Sequence, residues 1–496
     1  MRLGRKVAAN TIVQIAGRIL GLAIMLVTIN FIANRLIVDG SALKGYGQYS
    51  IVAAYISIIG SLADLGLYTL TVREITNKSA REAGRIIGNA IGFRLILLVA
   101  VLLMIGLIYP ILPYDPVVKQ GVVIGVVIAF SMLFNQIIVS VFQANLAISR
   151  VVIAETIGKL VVAGGTILVL LHGGGLMAVI WANLFGYAVM VLISYLFARS
   201  WAMIKIGFDF KLWRETGGQF WSMAVITVLG LIHFKFDSIM LSFYKSASDV
   251  GLYAIAYKLL EIILIIPSIF ATNLLPVMTA IVDEGRHDEF GTLVKNSASL
   301  LLAVALFISV LVFTFSSWLI IFITQPEFIA AANALRVLVL AVLFIFMSTL
   351  ISQAIVSTRQ QKRLLAGYLG VVALNILLNF YAIPRFSYVG AAWTTLITEA
   401  VLMTYTVVIA WREFGVRFDW PVLIRLGLAS AVSLAVIWFS RTLLVGPLAD
   451  FATHGKLWQT GQLGATAILA ALVFAVAIRA AFIGSKTGLR SLVSLR

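Results

Sequence analysis

Apolar runs of about 20 residues, separated by short polar connectors, repeat along nearly the whole chain. A helix of that length crosses the hydrocarbon layer of a bilayer and satisfies its own backbone groups while doing so. The pattern predicts an all-α integral membrane protein with about 14 spans, at roughly 9–34, 46–71, 86–109, 118–146, 151–171, 176–198, 218–243, 249–277, 297–323, 330–357, 364–383, 389–411, 422–444 and 460–482. No connector between them could house a soluble catalytic domain. The start, Met1-Arg-Leu-Gly-Arg-Lys6, has the charge of a secretory leader, but the apolar run behind it reaches Ile32. That exceeds the 7–15 residues of a leader core, so it reads as a retained first span.

Composition agrees with this pattern. Of 496 residues 61% are hydrophobic and only 11% charged, where soluble domains carry about 25% charged residues. A soluble enzyme, a disordered chain and a fibrous repeat are excluded. The net charge of +17 does not imply a nucleic-acid partner, because the basic residues stand singly between apolar runs. With the N-terminus inside, the inner connectors and tails together with the span ends beside them hold 24 Lys and Arg, and the outer connectors with their span ends seven. The positive-inside rule then places both termini in the cytoplasm, with the chain multi-pass in the cytoplasmic (inner) membrane. Cysteine is absent and the four histidines are far apart, which argues against disulfides, thiolate chemistry and a metal site. No catalytic residues and no cofactor are expected, and the chain does not read as an enzyme.

Weak internal echoes suggest duplication. Gly45-Tyr-Gly-Gln-Tyr49 opens the second span and Val250-Gly-Leu-Tyr253 the eighth; Gln143-Ala144 closes the fourth and Gln353-Ala354 the tenth. Their shared order and offset predict two six-helix lobes, 1–215 and 216–415, in pseudo-twofold arrangement around a central cavity, followed by an extra helix pair and cytoplasmic tail at 416–496. Two-lobed transporters bind substrate between such halves.

Charged residues inside spans are costly, on the order of 2.5–3.5 kcal/mol each at the bilayer centre, so each is a functional candidate. Glu155 and Lys159 are i,i+4 neighbours that can pair locally. Arg18 and Arg94 have no acidic neighbour on their own helix and must face another helix, water or an anionic ligand. Lys258 has Glu261 three residues on. Guanidinium and ammonium groups in a low-dielectric cavity suit a diphosphate, since the guanidinium fork matches phosphate oxygens. Arg18, Arg94, Lys258 and Lys235 are the candidate diphosphate-binding residues. Asp237, Glu261, Glu399 and Asp64 are candidates for charge pairing or for carrying a coupling H+ or Na+.

Several stretches carry a family likeness: Gly45-Tyr-Gly-Gln-Tyr-Ser50, Ser61-Leu-Ala-Asp-Leu-Gly-Leu67, Phe236-Asp-Ser-Ile-Met-Leu241, Val250-Gly-Leu-Tyr-Ala-Ile-Ala-Tyr-Lys-Leu259 and Val389-Gly-Ala-Ala-Trp393. Over roughly residues 7–411 the chain resembles the multidrug/oligosaccharidyl-lipid/polysaccharide (MOP) exporter superfamily, in its branch of O-antigen and capsule repeat-unit flippases. The resemblance implies alternating access and a polyprenyl-diphosphate-linked oligosaccharide as substrate. Membrane lipid, and a glycan polymerase or glycosyltransferase, are the implied partners. Arg18-Ile-Leu-Gly21 is similar to the first-span pattern of the lipid II flippases, which also have 14 spans; Lys258-Leu259 with Pro267 stands where those carry an arginine. Two other readings remain: a cation-coupled multidrug antiporter on the same fold, which calls for 12 spans and an acidic cavity, and a polytopic glycosyl- or acyltransferase, whose one candidate cluster is Asp283-Glu284 with His287-Asp-Glu289.

Overall fold

A computed structural model describes residues 2–64, 67–145, 147–211, 213, 235–415 and 420–444. The described secondary structure is helical apart from one bridge between Val38 and Ser41. In chain order the helices are α1 (Arg2–Arg35), α2 (Ala42–Asp64), α3 (Leu67–Ile75), α4 (Ala80–Ile108), α5 (Pro116–Ala144), α6 (Ile148–Leu171), α7 (Leu176–Ala198), α8 (235–244), α9 (Ala247–Asp283), α10 (His287–Ile323), α11 (Ala331–Ser357), α12 (Gln361–Phe414) and α13 (Trp420–Leu444). Among the described residues, nine helices are long and apolar enough to cross a membrane.

The run 46–71 is described as α2 and α3, with 65–66 outside the described residues. The spans 364–383 and 389–411 are the two helices of α12, which meet in the predicted connector at a kink at Ser387, whose φ of 50° and ψ of −137° are non-helical. Pro384 lies just upstream and offers no N–H to a continuing helix. A positive φ is costly for serine, and side chains hold the break in place: the Ser387 hydroxyl donates to Asp249 at 2.8 Å, and Lys245 Nζ donates to the Pro384 carbonyl at 2.8 Å. Of the span 218–243 only 235–243 is described, and the span 460–482 lies outside the described residues.

The chain divides into two compact units. The first gathers Met1–Ala254 with the short segments Ile321–Phe328 and Ile383–Tyr388. Within it α6 packs along α1 and α7, and α5 along α2, α4 and α7. A capping box closes the start of α4: Ser79 Oγ accepts from the Glu82 backbone N–H, and the Glu82 carboxylate accepts from the Ser79 N–H. Ile87, Ile137, Phe142 and Ala198 form a fully buried core between α4, α5 and α7. Trp201 extends that core, edge-on to Phe142 with Arg150 stacked 4.2 Å over its ring. The second unit holds Ile255–Ile320, Ile329–Ala382 and Val389–Arg496. There Arg336 of α11 is tied to α10 by the Ser316 and Ser317 hydroxyls, at 2.9 and 3.1 Å. At its far end Phe290 meets Phe414 edge-on at 5.7 Å.

The turn after α10 belongs to the first unit and caps one of its helices. Glu327 accepts from the Ser41 hydroxyl with one carboxylate oxygen and from the Leu43 backbone N–H, at 3.3 Å, with the other. A carboxylate at a helix start satisfies orphan donors and opposes the helix dipole. Phe328 beside it is fully buried, edge-on to Tyr46 at 5.8 Å. Glu327→Ala is expected to cost about 1 kcal/mol, the usual value of a lost cap, read as a lower melting temperature in detergent; an unchanged melt would refute the capping role.

Candidate functional site

The first unit contains a cavity of about 310 Å³ between α1, α3, α5 and α6. Apolar walls come from Val139, Ile148, Val151 and Val152, and its polar face from Gln14, Arg18, Tyr68, Gln143, Glu155, Thr156 and Lys159. Helical spacing explains why these groups converge. Gln14 and Arg18 lie four apart on α1, and Glu155 and Lys159 four apart on α6, so each pair shares a helix face. Glycine lets the two faces meet. A Cβ on Gly17 would stand 2.5 Å from a Val152 methyl, and one on Gly21 would stand 2.9 Å from Lys159 Nζ. The Lys159 ammonium therefore rests on α1 one turn beyond Arg18.

Two cations and one carboxylate face this pocket, a net positive charge. Arg18 is exposed to it, and no hydrogen bond or ion pair with a described residue engages its guanidinium. Lys159 and Glu155 stand 3.6 Å apart with side chains 44% and 41% exposed. Tyr68 donates its hydroxyl to Gln143 Oε1 at 2.8 Å, which fixes both polar groups at the rim. The arrangement can hold an anion by its cations and hydroxyl-rich groups by its amides.

Arg94 does not reach this pocket. It is fully buried in the first unit. Its guanidinium donates to Asp64 Oδ1 at 2.7 Å, to Gln136 Oε1 at 3.0 Å and to the Leu133 carbonyl. The free guanidinium expected for a diphosphate is thus taken up by a partner at the end of α2 and by α5. A buried charge is tolerated only when paired and hydrogen-bonded in this way. Asp64 is correspondingly the pairing carboxylate for Arg94.

The other candidates lie elsewhere. Asp237 on α8, in the first unit, is buried and accepts from the Tyr253 hydroxyl at 3.1 Å; Lys235 is half-buried two residues before it. Lys258 and Glu261 of α9 pair with each other at 2.8 Å in the second unit, each about one-third exposed. Glu399 is buried on α12. Of the anticipated cations, Arg18 alone lines the cavity of the first unit. Sequence reasoning missed Lys159 as its companion by treating Glu155–Lys159 as a purely local pair. The signal was present in two i,i+4 polar pairs on otherwise apolar helices, with Gly17 and Gly21 beside one of them.

Long apolar helices packed in this way make a multi-pass membrane protein, and solved structures share the fold. A solved structure described as the lipid II flippase MurJ in an inward closed conformation aligns with a TM-score of 0.74 at 17% identity, over 96% of this chain and 100% of that one. An inward-facing multidrug resistance MATE family transporter of the MOP superfamily aligns with a TM-score of 0.63 at 15% identity, over 80% and 94%. The chain belongs to the polysaccharide biosynthesis protein family, which it matches over residues 3–282; a MatE match covers residues 221–381. Among relatives, Agl15 of Haloferax volcanii, described as a probable low-salt glycan biosynthesis flippase, is 22% identical over 406 residues, 79% of this chain and 81% of its own length.

Proposed function

We propose that the chain is a flippase that carries a lipid-linked glycan, with a polyprenyl-diphosphate anchor, across the membrane by alternating access. The observation that carries this reading is the pocket in which Arg18, engaged by no described residue, and Lys159 outweigh the one carboxylate, Glu155. A diphosphate is the part of such a substrate that most needs protein cations inside a membrane, and the guanidinium fork suits its oxygens. Family membership and the Agl15 relative point the same way. The reading makes the protein a transporter rather than an enzyme, in the cytoplasmic membrane with both termini inside. A glycan polymerase or glycosyltransferase would act on the delivered substrate. Coupling to H+ or Na+ through Asp237, Glu261 or Glu399 belongs to the same proposal. The MatE match favours a multidrug antiporter, but a net positive pocket repels the organic cations such antiporters take.

Reconstitution in liposomes with a fluorescent polyprenyl-diphosphate sugar tests the reading. Arg18→Ala and Lys159→Ala are each expected to slow flipping by about tenfold to a hundredfold, the value of a charge-assisted hydrogen bond of about 1.5–3 kcal/mol. Undiminished flipping in both variants would reject the pocket as the binding site. Export of cationic dyes by wild type, with no flipping, would establish the antiporter.

A further inference from the structure

Glu155 is the one carboxylate lining a pocket that otherwise presents Arg18 and Lys159. Its distance to Lys159, 3.6 Å, is that of an ion pair and longer than a hydrogen bond, and both side chains are more than two-fifths exposed. Such pairs contribute little to stability and exchange partners readily. The Lys159 ammonium lies over Gly21, on the α1 face that carries Arg18 one turn away. An anion seated by Arg18 therefore lies within reach of Lys159 and beside Glu155.

Resting on the pocket reading above, we infer that Glu155 is a resident counter-ion that holds Lys159 when the pocket is empty and yields it to the incoming diphosphate. Two consequences follow from the charges. The bound diphosphate experiences repulsion from Glu155, so affinity is lower than Arg18 and Lys159 alone would supply. On release, Glu155 reclaims Lys159 and the pocket returns to its starting state. Transport needs a site that binds well enough to load and weakly enough to unload, and one carboxylate opposite two cations tunes the pocket to that condition. Glu155 is thus a positioning residue for Lys159 and sets the anion affinity of the site.

The test uses the purified full chain in detergent and farnesyl diphosphate as probe, titrated calorimetrically. Glu155→Gln is expected to tighten binding about tenfold, the effect of removing one like charge at close range. Its melting temperature should stay at the wild-type value, as befits an exposed pair. In a Lys159→Gln background the same substitution should tighten binding by less than it does with Lys159 present, because the competition for the lysine is gone and only the direct repulsion remains. In liposomes Glu155→Gln is expected to saturate at lower substrate and turn over more slowly. If Arg18→Gln and Lys159→Gln weaken binding while Glu155→Gln leaves it unchanged or weaker, the counter-ion role is overturned and the pocket stands. If wild type fails to bind the probe, or Arg18→Gln and Lys159→Gln bind it as wild type does, the pocket reading falls and takes this inference with it.

Discussion

Arg94→Ala is expected to destabilise the first unit by about 3 kcal/mol, near the low end for breaking a buried ion pair because Asp64 keeps one-fifth of its side chain exposed. The substitution removes the donors that satisfy Asp64, Gln136 Oε1 and the Leu133 carbonyl together, and so unties α4 from α2 and α5. Arg94→Lys should recover only part of the loss, since an ammonium lacks the planar fork that reaches three acceptors on two helices. The paired replacement Arg94→Leu with Asp64→Leu should be milder than Arg94→Ala alone, because no charge is left stranded. Thermal melts followed by tryptophan fluorescence measure all three. An Arg94→Ala protein that melts with wild type but does not flip substrate would return Arg94 to the list of ligand-binding cations; a paired variant less stable than Arg94→Ala would refute the clamp.

The contrast between Arg94 and Arg18 shows what the sequence could convey. Both read as isolated guanidiniums in apolar helices, and both demanded a partner. For Arg94 the partner is Asp64, 30 residues away on another helix, and nothing in spacing singles out that carboxylate from the others inside spans. The apolar runs themselves were legible, since bilayer thickness dictates their length whatever the tertiary packing. The break at Ser387 was legible as well, since it falls in the connector 384–388 that separates the predicted spans and carries Pro384 and Arg385. The pocket was half legible. Arg18 stood out by its charge, whereas Lys159 and Glu155 satisfied each other on paper, and their role depends on how closely α1 and α6 approach. Gly17 and Gly21 control that approach, but glycine is frequent in any membrane helix.

The second large effect is expected at Gly88. Gly84, Gly88 and Gly92 recur every four residues along α4, a spacing that ordinarily signals close packing of another helix. Here the partner is the non-helical segment 202–209 that follows α7. A Cβ at each of the three glycines would overlap the carbonyl oxygen of Met203, Lys205 or Gly207, respectively. The segment is fastened by the Met203 N–H to the Ala80 carbonyl at 3.0 Å, the Gly207 N–H to the Gly88 carbonyl at 3.2 Å and the Asp209 N–H to Asn89 Oδ1 at 2.8 Å. Arg85 adds an ion pair to Asp209 at 3.0 Å. Because the obstructing atoms are backbone, a methyl group at Gly88 cannot be accommodated by a rotamer change, and the whole segment must lift. Each hydrogen bond contributes about 1 kcal/mol, so losing three of them should release the strap even though alanine favours the helix itself. Gly88→Ala is therefore expected to raise amide hydrogen exchange at Met203, Gly207 and Asp209 by at least about tenfold and to expose the Lys205 bond to trypsin. Gly106→Ala, on the same helix with open space around it, should leave both readouts unchanged. Equal exchange at those three amides in Gly88→Ala and wild type would show that the strap does not depend on the glycine stripe.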